Sequence, residues 1–91
     1  MNIKKIKLDL TVKLLNLGNQ SNPLQSVKEA MHHFKDEVGS FVGFTVLRDA
    51  GIGSDMVSRT YAMRYEKCTL NVDMVLNQKT RSEYLNGFKL N

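Results

Sequence analysis

The sequence predicts a single α+β domain, 1–91, in which one long helix lies on a curved antiparallel sheet in the order β-α-β-β-β-β. Three observations predict it. Apolar and polar residues alternate without error through residues 6–14, one apolar stripe at helical spacing runs through residues 24–38, and four alternating segments separated by turn residues fill the remainder. Ninety-one residues with 42% hydrophobic and 24% charged side chains are enough for one core but not for a large one, so association would reinforce its stability.

In the first element Ile6, Leu8, Leu10, Val12 and Leu14 alternate with Lys7, Asp9, Thr11 and Lys13. Period two is the signature of a strand with one buried face, and the segment is expected to be one. The following LNLGNQSN reads as loop. Asn22-Pro23-Leu24-Gln25 then marks a helix start: Asn22 as cap, Pro23 at the first position, Gln25 reaching back as in a capping box. Leu24, Val27, Met31, Phe34 and Val38 form one stripe along about four turns, and Gly39 supplies the stop.

Strands are expected over residues 41–48, 56–67, 69–78 and 82–91. Val57, Tyr61, Met63 and Tyr65 share one face of the second; Leu70, Val72, Met74 and Leu76 share one face of the third. Short connections make an antiparallel meander.

Residues 22–91 resemble the small bacterial members of the nuclear-transport-factor-like superfamily, also called cystatin-like α+β proteins. The stretches that carry the resemblance are SRTYAMRYEK, TLNVDMVL and the closing YLNGFKLN. The leading segment departs from it, because relatives begin with helices where this chain alternates like a strand. The resemblance implies a bent sheet wrapped around a helix and a homodimer formed through the outer sheet face. Phe41, Leu47, Ala62, Val75 and Leu85 have outer parity and would furnish that interface.

Chemistry-bearing residues point away from catalysis. Asp9 alternates outward, Glu29, Asp36 and Glu37 lie off the helical stripe, and Asp49 and Asp55 fall in a turn; Glu66, Asp73 and Glu83 have outer parity. No carboxylate is aimed at the apolar face where a general base would work, so the chain is read as a non-enzyme. Glu29, His33 and Glu37 are spaced four and four but face open water, so no metal or other cofactor is expected. Cys68 cannot form an internal disulfide and has no histidine close in sequence to activate it. Gly51-Ile52-Gly53-Ser54 joins two strands and opens no helix, which makes it a hairpin loop and not a phosphate cradle. Tyr61, Tyr65, Tyr84 and Phe88 share the parity of the covered face, and core packing is expected of them.

Two polar residues interrupt the apolar parity: Arg59 beside Val57 and Tyr61, and Asn86 between Tyr84 and Phe88. An arginine there must be paired, solvated or facing a cavity. The candidate ligand site is therefore Arg59, Tyr61, Tyr65 and Asn86, holding a small polar or anionic molecule.

The expected function is binding, with a homodimer and a small-molecule ligand. Nucleic acid is the alternative partner, through the lysines of the first segment with Arg64 and Lys67, in keeping with the net charge of +4. An isomerase or hydrolase of the superfamily is the third reading, and it requires an inward carboxylate. MNIKKIK starts like a signal peptide, but Asp9 and Lys13 interrupt the apolar stretch that would have to follow. With no membrane segment and a lone cysteine, a cytoplasmic location is expected.

Overall fold

The computed structural model describes residues 2–15 and 23–91. Among the described residues three helices, α1 (Ile3–Leu15), α2 (Pro23–His32) and α3 (Lys35–Val38), precede four strands, β1 (Phe41–Gly51), β2 (Met56–Tyr65), β3 (Thr69–Asn77) and β4 (Ser82–Leu90). The strands form one antiparallel sheet in the order β1-β2-β3-β4. The α+β class and the antiparallel meander stand, but the order β-α-β-β-β-β and the single long helix do not.

The first correction concerns residues 6–14, which are helical. Asn2 caps the helix, its Oδ1 accepting the Lys5 amide at 3.1 Å while its carbonyl accepts the Ile6 amide at 3.2 Å. Leucine and lysine are strong helix formers, and the alternating set contains a helical subset, Ile6, Leu10 and Leu14, at spacings of four. Ile6 and Leu10 are fully buried and Leu14 packs against the core, whereas Leu8 and Val12 point outward. A helix satisfies its own backbone and still buries this stripe, worth about 1.5–3 kcal/mol per aliphatic side chain.

The second correction divides the long helix. Its stripe is real, with Val27, Met31, Phe34 and Val38 all buried. The backbone, however, tightens after Met31: the His33 and Phe34 amides bond to the carbonyls of Ala30 and Met31, three residues back, and Phe34 leaves helical geometry before α3 resumes. Pro23 opens α2 as expected, while Asn22 and residues 16–22 of the predicted loop lie outside the described residues. Gly39 ends α3 with φ 85°, a conformation that favours glycine, and its amide bonds to the Lys35 carbonyl.

The sheet's register puts Tyr61 opposite Val72 and Met63 opposite Leu70. With Tyr65, Met74 and Leu90 they form the helix-facing layer of the core, closed by Ile6, Leu10, Val27 and Met31 from above. Three register shifts interrupt the ladders, at Val42 and Leu47 in β1 and at Asn86 in β4. Each leaves one residue unpaired and reverses the parity beyond it. Among the described residues no helix is long and apolar enough to cross a membrane.

The helical reading of α1 predicts unequal effects of two substitutions that a strand would treat alike. Leu10→Ala is expected to cost about 2–5 kcal/mol in urea unfolding, and Leu8→Ala to stay within about 0.5 kcal/mol of the parent. Equal losses would place both side chains on one face and overturn the helix.

Candidate functional site

Arg59 lies on the helix-facing side of β2, as its parity predicts, and it is paired. Its Nε and Nη2 donate to Oδ2 of Asp49 at 3.2 and 2.8 Å, and Nη1 donates to the Tyr61 hydroxyl at 3.4 Å. Asp49 is not in a turn. β1 continues to Gly51, and the bulge at Leu47 brings Asp49 directly opposite Arg59. A carboxylate is thus present on the face where none was expected, linked to a tyrosine hydroxyl through a guanidinium. With side chains 29% and 48% exposed, the pair is worth about 0–1 kcal/mol and orients more than it stabilises. Counting outward from a three-residue turn at Gly53-Ser54-Asp55 would have found the partner, since Gly51 faces Val57 and Ala50 faces Ser58.

Tyr61 and Tyr65 are both buried on this face, Tyr61 edge-on to Phe44 and Tyr65 edge-on to Phe41. The Tyr65 hydroxyl has no partner among the described residues. Burial pushes it up to about 12, with Cys68 adding to the shift, and burial also raises the Cys68 thiol. A raised thiol is a packing group and not a nucleophile. Asn86 is the unpaired residue of the β4 bulge, exposed, beside Thr11 and Leu14 of α1. It sits on a different strand with β3 between, so the four candidate ligand residues do not converge: Arg59 and Tyr61 touch, while Tyr65 and Asn86 stand apart.

The bulges also redistribute the proposed interface residues. Phe41 faces Tyr65, and Leu85, now paired with Met74, packs against the core, so both belong to the helix-facing side. Leu47 is an exposed bulge residue. Ala62 and Val75 remain on the open side, among Thr60, Asn71, Asp73 and Tyr84. Tyr84 has therefore left the covered parity, and Glu83 has joined it opposite Leu76, half-buried at the sheet's end. On the open face Thr60 donates to Asp73 at 2.7 Å, and the buried Asn71 Oδ1 has no partner among the described residues. The break at His33–Phe34 removes the continuous helix on which Glu29, His33 and Glu37 were to align.

The helices leave β1 uncovered. Val42, Phe44, Val46 and Leu47 are 63, 56, 50 and 58% exposed. Between α2 and this strand run two cavities, one of about 270 Å³ reaching from Gln25 and Lys28 to Lys35, Ser40 and Tyr65, the other of about 250 Å³ floored by Leu24, Phe44 and Met63. Gln25, Lys28 and Phe41 line both, which makes one groove. Where the cavities meet, the Lys28 ammonium stands 4.4 Å above the Phe41 ring. Alternation alone does not mark this surface, because Phe44 and Val46 lie on the core's side of the sheet and are exposed only where the helices stop short of them.

The floor of the groove near Ser40 is fixed by Glu66, whose Oε1 accepts the Ser40 amide at 2.6 Å. That bond, first, and the neighbouring Lys67 and Lys35 hold the Glu66 carboxyl below its ordinary value of 4.5. A folded-state value below the unfolded one gives stability that is present above pH 4.5 and lost as pH falls through the folded value. The melting temperature of Glu66→Gln is therefore expected to fall less steeply than the parent's on acidification below pH 4.5; parallel curves would remove Glu66 as the cause. No family model matches this chain, and neither a curated protein nor a solved structure matches it.

Proposed function

We propose that this chain is a binding domain that self-associates through its sheet, with the uncovered side chains of β1 as the contact. The observation that supports the reading most is the run of large apolar side chains, Val42, Phe44, Val46 and Leu47, exposed along one edge strand of a small domain. Bulges at Val42 and Leu47 interrupt the strand's outer edge as a template for another strand. The contact is therefore through side chains and not through ladder hydrogen bonds. A second copy is the economical partner, because a two-fold arrangement lets the same strip cover itself. The superfamily resemblance agrees with a sheet-mediated dimer, although it would place the contact on the open face, where Ala62 and Val75 lie among small polar residues.

One observation favours acid–base chemistry instead: Asp49 shares the helix-facing side with the Tyr61 hydroxyl. Yet its Oδ2 accepts both guanidinium bonds, and the side chain is half in water. A general base of this kind needs a carboxylate shielded from water, and Asp49 is not one. The binding reading is the stronger one. Nucleic-acid binding loses its basic strand, since Lys4, Lys5, Lys7 and Lys13 project from α1 in several directions, Lys13 toward the Phe34 ring.

Sedimentation equilibrium tests the proposal. The parent chain is expected to be dimeric, Val46→Glu to weaken the dimer by at least about tenfold, and Val75→Glu to leave it unchanged. A monomeric parent refutes self-association, and dissociation by Val75→Glu alone moves the contact to the open face.

A further inference from the structure

The groove between α2 and β1 has a polarity of its own. Its lower part is floored by Leu24, Phe44 and Met63, with no charged side chain but Lys28. Its upper part carries Lys35 and His32 beyond Lys28. One carboxylate lines it, Glu29, and that group accepts the Gln25 side-chain amide at 3.5 Å. Lys28 makes no ion pair among the described residues; its ammonium rests on the face of Phe41 at the junction of the two cavities. An ammonium held over a ring, beside an apolar trough, with no counter-ion, has unused capacity for an anion.

We propose that this groove binds a small amphiphilic anion, an alkyl carboxylate, with its chain along Phe44 and Met63 and its carboxylate on Lys28. The charge complementarity is local and directional. The ligand's apolar end covers surface that the helices leave in water, and its charged end meets the cation at the groove's midpoint. Cavities of about 250 and 270 Å³ are at the small end of ligand sites and fit a single short chain. Lys35 lies farther up and steers the anion without being required to touch it. This inference rests on the binding-domain reading but not on self-association.

The test is a titration of the isotopically labelled full chain with decanoate and, separately, with decanol, followed by amide chemical shifts. Decanoate is expected to give saturable shifts centred on Gln25, Lys28, Phe41 and Phe44, and decanol to bind at least about tenfold more weakly, the value of one charge-assisted hydrogen bond. Lys28→Glu, an exposed position that leaves the fold intact, is expected to weaken decanoate by a similar factor, and Lys28→Arg to retain it. Absence of saturation, equal affinity for decanol, or full affinity in Lys28→Glu overturns the proposal. So does a dimer that buries the groove and is not displaced by decanoate. Failure here with a dimer that still responds to Val46→Glu leaves self-association standing, whereas saturable decanoate binding to a monomer refutes only the dimer.

Discussion

Ile6 and Leu10 of α1, with Val27 and Met31 of α2, are fully buried against Leu70, Val72 and Met74 of β3, and where this contact ends decides which surfaces stay open. Both helices approach β4, and α2 borders β1 without covering it. One layer of short helices thus closes three strands and leaves the fourth with Phe44 and Val46 in water, although both share the core's side of the sheet. Closing the core and exposing the apolar strip of β1 are the same geometric event.

The two sides of the sheet then differ in kind. The open side presents mainly small polar side chains and a Thr60–Asp73 hydrogen bond, with Ala62, Val75 and Tyr84 among them. The helix-facing side presents aromatic rings at β1 and a guanidinium–carboxylate pair beyond them. Bulges sit on both edge strands, where they interrupt the ladder that another chain could extend. An apolar strip beside a blunted edge would suit a contact through side chains better than one through backbone hydrogen bonds.

The sheet was legible because β2 and β3 alternate without interruption, and each begins within its expected bounds. Tyr61, Met63, Leu70, Val72 and Met74 lie where period two puts them. The first segment was misread because five alternating residues contain three at helical spacing, and Asn2 as a cap outweighs a pattern that both structures share. The helix break at Phe34 left no mark in the stripe, since all five apolar residues pack whether or not the backbone is continuous. Parity failed beyond each bulge. Gly87, next to Asn86, and Gly43, next to Val42, are the residue type that accompanies such irregularities, but nothing around Leu47 announces one. Of the candidate site, Arg59 was visible as a misplaced charge; its partner was hidden by a strand three residues longer than its composition suggested.

Gly39 and Glu66 join the helical layer to the sheet at one point. A Cβ on Gly39 would stand 2.6 Å from that of Glu66, so only glycine lets the chain lie this close against the Glu66 side chain. Around this contact the amides of Glu66 and Lys67 bond to the carbonyls of Ser40 and Val38, and the Ser40 amide bonds to the Glu66 carboxylate. Unwinding α3 must release the β2–β3 turn, and opening that turn must free the end of α3. In hydrogen exchange these three amides therefore belong to one cooperative unit, and solvent reaches them together through a shared opening instead of by separate fraying of a helix end and a hairpin tip.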